Sequence, residues 1–347
     1  RQRNELNLPE LPLYGRGDLS SLYERVKPLS LQTPYSIEKE GEFIEVTLYH
    51  AGHVAGAVSV GIKHNGKTMF FTGDLLFNDQ YTLDGAETPS APVDVLVTET
   101  TRGGNARDPG RQRESEIVSL LEETRKSLVQ GGSVLIPVFA LGRMQEMLVV
   151  LDDAFKRKAL PKVPVFCSGL GMDLVNHFHE ISKNTTRIRF NRKVLRSIGA
   201  RPLPRKLEPG QEPPMKGIFL VSSGMLVEHT PSYLLASGLL REKRNCLLFV
   251  GYCDPDTPGG KLLAHQNEEH FEFEGIDCTE PIRAKIRQFD LSGHADRDEL
   301  VAFAKKISPK TIFLHHGDPN ARAWFLDALS EYGAKLVDPK PLQTYET

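Results

Sequence analysis

Apolar and polar positions change period twice along this chain. In SIEKEGEFIEVTLYH they alternate loosely, which predicts a pair of strands turning at Glu40-Gly41. Leu48 to Asp74 continues as two further strands, with Phe70 and Phe71 fixing the second. A polar loop leads to Val93–Glu99, an apolar run that reads as a buried strand. From there the period lengthens. Ile117, Leu120, Leu121, Thr124 and Leu128 fall at helical spacing over Glu114–Gln130, and Gly131-Gly132 closes that helix. Strands at Val134–Phe139, Val163–Ser168, Gly217–Val221 and Asn245–Val250 then alternate with helices at Leu141–Lys158, Gly171–Ser182 and Ser232–Leu240. Such alternation predicts a parallel sheet with helices on its faces. The final block predicts a strand at Lys285–Leu291, a helix at Asp296–Ile307, a strand at Thr311–Leu314 and a helix at Ala321–Tyr332. Residues 1–36 are loop-rich, with a short helix whose N-cap is expected at Asp18. Residues 183–214 are basic and Pro-rich and predict no regular element.

The texture shifts near residue 104 and returns near 288. The expected division is therefore 1–103, 104–287 and 288–347, the outer two belonging together. A length of 347 residues allows two domains, each with a core. Net charge is −2, so no global basic field draws the chain to a polyanion, and any such contact needs a local cleft. No apolar run approaches the roughly 18 residues that cross a membrane, and no signal peptide is visible. The four cysteines are scattered without a CxxC pair, which points to reduced thiols and a cytoplasmic protein. The first residue is Arg1, not Met, so translation is expected to begin upstream.

Candidate chemistry sits at the strand ends. AGHVAGA places His53 in a loop of small residues, and FTGD turns Asp74 out after a strand. Imidazole nitrogen and carboxylate oxygen both suit zinc. The small residues (Gly52, Ala55, Gly56) would let backbone come close to the metals. Glu99 ends a strand in VTETT; His294 lies in the turn of SGHAD, with Asp296 as a helix N-cap; HHGD carries His315 and His316. Gly142-Arg143 opens a helix, a natural phosphate site. Each has a bland alternative: a core histidine, a turn aspartate, a solvated glutamate, a helix cap. His64, His177, His179, His229, His265 and His270 read as ordinary, and His50 as a packing residue behind His53.

As an ordered set, AGHVAGA, FTGD, VTETT, IPVFALGRMQE, SSGM, GYCDPDTPGGK, SGHAD and HHGD resemble the β-CASP branch of the metallo-β-lactamase superfamily, RNA-processing nucleases similar to the endonuclease subunit of the cleavage and polyadenylation specificity factor. The resemblance runs over nearly the whole chain. It implies an α/β fold, the metallo-β-lactamase αβ/βα sandwich, with an inserted α/β domain. It also implies two zinc ions, with His53 on one, Asp74 bridging and His316 on the second. Glu99 would hold His294 toward the scissile phosphate, and Asp74, Glu99 and His294 would carry catalysis. The implied reaction is attack of a metal-activated water on RNA. Arg143, Ser222, Ser223, Gly224 and Lys261 would line the RNA path. His315, next to His316 on a strand, should face away.

Two departures stand out. Pro258-Gly259-Gly260 precedes Lys261 where the family carries its basic residue closer to Thr257. The family's HxHxDH signature, which supplies most metal ligands, is absent. The expectation is that an upstream segment or a second chain supplies it, that this chain alone holds metal poorly, and that apolar sheet is left uncovered. An endonuclease is favoured over a 5′-to-3′ exonuclease, and DNA as substrate and a homodimer stay open. The alternatives are a non-catalytic homologue that binds RNA or scaffolds a processing complex, and a hydrolase of small esters or thioesters.

Overall fold

The computed structural model describes residues 14–108, 111–204 and 206–347. β1 (Tyr35–Lys39), β2 (Glu42–His50), β3 (Val58–His64) and β4 (Lys67–Phe71) form an antiparallel meander, to which β5 (Val95–Glu99) adds in parallel. The chain then leaves for a second sheet, built from β6 (Val134–Pro137), β7 (Val165–Ser168), β8 (Ala200–Pro202), β9 (Ile218–Val221) and β10 (Cys246–Phe249). A small antiparallel pair follows, β11 (His270–Phe273) with β12 (Cys278–Pro281), before β13 (Lys285–Gln288) completes the second sheet. Finally β14 (Thr311–His315) and β15 (Lys335–Val337) rejoin the first sheet. Its order is β1-β2-β3-β4-β5-β14-β15, and that of the second is β13-β10-β6-β9-β7-β8.

The second sheet is parallel throughout. Every residue of β6, β9 and β10 is buried. Side chains on a strand alternate between faces, so a run buried at every position needs a core on each side. Val134 and Ile136 join one core with Leu120 and Leu148, while Leu135 joins the other with Phe219 and Leu235. In the first sheet, Phe70, Leu96, Ile312 and Leu314 pack against Leu300, Phe303 and Phe325 of the helices Arg297–Ile307 and Pro319–Ala328. The far edge is less covered: Ile37, Phe43 and Ile44 on β1 and β2 are exposed.

Asp94 staples the other end of this sheet. Its carboxylate accepts from Thr68 N (2.9 Å) and Thr68 Oγ1 (3.1 Å) on β4, and from Lys310 Nζ (2.8 Å) beside β14. The Lys310 contact and the two Thr68 bonds pull its pKa down to about 2. Among the described residues no helix is long and apolar enough to cross a membrane.

Several sequence expectations need correction. The first helix is Arg16–Arg25, with Gly15 as N-cap; Asp18 lies inside it, and its carboxylate reaches back to accept from Gly15 N at 2.7 Å. The stretch after residue 183 is not wholly irregular, since it holds the short helix Lys193–Ser197 and β8. The helix expected over Ala321–Tyr332 runs Pro319–Ala328, and a separate 3-10 turn covers Ser330–Tyr332. Asp296 does cap its helix, accepting from Asp298 N at 3.2 Å while Glu299 accepts from Asp296 N at 2.8 Å.

Candidate metal centre

β2, β4, β5 and β14 run in one direction and end at one edge of the first sheet. The loop after β2 carries His53, the turn after β4 Asp74, the end of β5 Glu99, and the residue after β14 His316. His294 joins them from the turn that leads into the helix Arg297–Ile307. Register fixes the last placement. Glu99 pairs with His315, so His316 falls one residue beyond the ladder, where its backbone turns with φ +49°. Simple alternation therefore does not govern His316; His315 is exposed.

One ligand atom each from Asp74, Glu99, His294 and His316 lie within 4.8 Å of one another. His316 Nδ1 is 3.3 Å from Asp74 Oδ1, and His53 Nε2 is 3.8 Å from Asp74 Oδ2. Asp74 thus offers one oxygen to each histidine. The His53 and His294 rings are 4.5 Å apart, and those of His294 and His316 5.8 Å.

The histidines are oriented from behind. A carbonyl only accepts, so the 2.8 Å contact of His53 Nδ1 with Gly293 O places the proton on Nδ1. Nε2 is then left as a lone-pair donor beside Asp74, which is how metal-ligating histidines are held. By the same reasoning His294 Nδ1–H donates to Glu99 Oε2 at 2.8 Å. Glu99 is 2% exposed, and its other oxygen accepts from Leu75 N at 2.5 Å. Thr101 Oγ1 lies 2.9 Å from His316 Nδ1. The donor set, two imidazoles around a carboxylate, fits a borderline-soft divalent ion; His53 is tied on its far side, whereas Thr101 meets the same His316 nitrogen that faces Asp74.

Electrostatics separate the two inner histidines. Burial, and then the neighbouring His294, lower the pKa of His53, favouring the neutral form a metal ligand requires. Burial also pushes His294 down, but the hydrogen bond and charge of Glu99 outweigh it and raise its pKa.

Two expectations about small and basic residues change. Gly52 is needed because a Cβ there would run into the Leu76 carbonyl and Ala86 N, a packing constraint within the loop. The glycine that lets His53 come close is Gly293, where a Cβ would stand 2.9 Å from His53 Nδ1. Arg143 points to no open phosphate site. It is 8% exposed, and its Nη1 is bonded to the carboxylate of Glu146, which is fully buried. Burial lowers its pKa to about 10, against the pull of Glu146.

Ser222, Ser223 and Gly224 form the loop after β9. Ser223 Oγ accepts from Met225 N (3.2 Å) and Val227 N (3.3 Å), and Gly224 is packed on the Phe139 backbone. Lys261 is half-exposed on the helix Pro258–Ala264, with Nζ 3.7 Å from Glu274.

Sequence reasoning passed over the groups that support the centre. Arg102 makes a two-pronged contact with Asp290 (2.8 and 2.7 Å), tying the Glu99 loop to the His294 loop. Arg113 and Glu146 form a buried ion pair, with Arg113 5% exposed and Nη2 2.6 Å from both carboxylate oxygens. Removing one partner of such a pair costs about 3–5 kcal/mol, because the other charge stays buried. The available signal was a glutamate set inside the apolar run of MQEMLVVL.

Comparison with known proteins gives a consistent picture. Residues 144–262 match the Beta-Casp domain, and residues 279–339 match the Zn-dependent metallo-hydrolase RNA specificity domain. Endoribonuclease YSH1 of Eremothecium gossypii is 30% identical over 332 residues, covering 91% of this chain and 41% of that protein. Integrator complex subunit 11 of Danio rerio is 28% identical over 316 residues, covering 89% of this chain and 50% of its own length. An RNase J-like protein of Methanocaldococcus jannaschii is 29% identical over 325 residues, covering 91% and 72%. The chain thus spans half or less of the first two relatives and nearly three quarters of the third.

Proposed function

The chain belongs to the β-CASP branch of the metallo-β-lactamase superfamily, and on that premise we propose that it forms the cleavage unit of a zinc-dependent ribonuclease. The observation that carries this reading is the meeting of Asp74, Glu99, His294 and His316 at one sheet edge, with His53 beside them. In this reading the inserted unit is 104–287, flanked by two parts of one hydrolase domain, 1–103 and 288–347. Zinc bound at Asp74 would supply Lewis acidity and a water of lowered pKa.

The remaining work falls to the chain's own side chains. His53 and His316 flank Asp74 and would hold the ion together with it. Glu99 holds His294 by Nδ1, leaving Nε2 free to give a proton to the leaving oxygen or to steady charge on the phosphate. Ser222, Ser223, Gly224 and Lys261 would border the strand path; Arg143, held by Glu146, is better suited to fixing the loop before it. Two histidines and a carboxylate are too few for a pair of ions, since catalytic zinc usually keeps three protein ligands. Further ligands from an upstream segment or another chain complete the proposal, and the exposed Ile37, Phe43 and Ile44 offer an apolar face for such a segment.

RNA is the favoured substrate, cut internally, as in the relatives named endoribonuclease. The test is cleavage of an end-labelled RNA by the full-length protein, comparing wild type with His294→Ala and Asp74→Asn. Internal cuts in wild type and none in the variants are expected. Equal cleavage by all three would remove His294 and Asp74 from the mechanism, and cleavage by none would favour a non-catalytic RNA-binding homologue.

A further inference from the structure

The inserted unit is wired into the metal centre by a closed ring of hydrogen bonds. Arg113 opens the first helix of that unit, and its Nη1 donates to Ser292 O at 3.0 Å. The next carbonyl, Gly293 O, accepts from His53 Nδ1 at 2.8 Å. The His53 carbonyl accepts from Gln80 Nε2 at 2.8 Å, as does Gly52 O at 2.7 Å. Gln80 Oε1 returns to Arg113 Nη2 at 3.4 Å and closes the circuit. Behind it, Glu146 clamps the same guanidinium and also accepts from Tyr81 N at 3.2 Å.

We infer that Arg113, held by Glu146, is a positioning residue that sets His53 and His294 relative to each other through Ser292, Gly293 and Gln80. The inference rests on the reading of this site as a metal-dependent nuclease centre, and its structural part can be measured without activity. Only a guanidinium suits the role. Its planar fork reaches two acceptors and a carboxylate at once, whereas a lysine ammonium is a single point charge. The arrangement gives the inserted unit a task at the centre: it holds one side of the chemistry in place.

Two variants of the full-length protein test this. Arg113→Lys keeps the charge and loses the fork; Gln80→Met cuts the ring without touching the ion pair, and serves alone if Arg113→Lys does not fold. Each is expected to lower kcat by about 10- to 100-fold with KM unchanged, the usual cost of losing a group that orients a ligand. The double variant should be no worse than the poorer single one, because both break one circuit. In protein labelled with 15N-histidine, the downfield proton on His53 Nδ1, assigned with His53→Asn, should broaden or vanish in both. If both folded variants keep that resonance and wild-type turnover, the inference is wrong. Should wild type cleave no RNA while the resonance still depends on Arg113 and Gln80, the positioning stands and the nuclease reading falls. A kcat loss with an unchanged resonance would also overturn it, since Arg113 would then act by another route.

Discussion

Replacing Glu99 by Gln removes one charge and almost no volume, so its effect can be worked out from two hydrogen bonds. The carboxylate accepts from Leu75 N at 2.5 Å and from His294 Nδ1 at 2.8 Å, and it has almost no access to water. A carboxamide has one oxygen and one NH2. If the oxygen stays on Leu75 N, the NH2 faces His294 Nδ1, and two donors meet. His294 must then shift its proton to Nε2 or lose the contact. A hydrogen bond to a charged partner contributes about 1.5–3 kcal/mol. With tenfold in rate for each ~1.4 kcal/mol, the loss is roughly 10- to 150-fold if it falls on the transition state. Single-turnover cleavage of labelled RNA, with thermal unfolding of the same samples, separates the two places where the loss could appear. Reduced turnover at unchanged KM is expected. A folded Glu99→Gln protein with wild-type turnover would refute the claim that Glu99 orients His294.

Other consequences are equally direct. Gly293→Ala would put a methyl group 2.9 Å from His53 Nδ1, so metal content and turnover should fall, the latter by about 10- to 100-fold; normal metal content by elemental analysis would argue against the assignment of His53. Asp74→Asn keeps the shape but withdraws the charge shared by His53 and His316, and equilibrium dialysis against zinc should show weaker or fewer bound ions than in wild type. For Asp94 the folded pKa, about 2, lies below the ordinary 3.8, so its contribution is fully present above pH ~4 and is lost as pH falls toward 2. Asp94→Asn should therefore lower the urea midpoint at pH 7 and converge on wild type near pH 2. Parallel curves across that range would exclude this role.

The parts of the molecule that were legible in the sequence are those with strong local signals. Continuous apolar runs marked β6, β9 and β10, because a strand covered on both faces has no polar alternation to lose. Glu99 and the HHGD turn were visible because they sit at strand ends, and His294 because it lies in a turn just before a capped helix. What failed depended on contacts distant in sequence. Nothing local distinguishes Arg143 at a helix start from a phosphate ligand until Glu146, one turn on, is found buried and facing it. Arg113 gave no local sign of its role, since its acceptors are Ser292 O, Gln80 and Glu146. Short edge elements such as β8, β11 and β12 carry too few residues for a period to emerge.

The pairing of β5 with β14 joins segments some two hundred residues apart, and loop closure of that size is costly for a disordered chain. Glu116 and Asp290, close to the two ends of the intervening stretch, are themselves in contact, Asp290 N donating to Glu116 at 2.7 Å. Once that stretch has folded, the link between β5 and β14 falls from some two hundred residues to about forty, which lowers the closure cost by roughly 1.5 kcal/mol. Assembly should therefore be hierarchical, with amides of β6, β9 and β10 protected from exchange before those of β14 in a pulse-labelling refolding experiment. A half-made polypeptide would then carry an incomplete donor cluster, because the edge that holds His316 is the last to arrive.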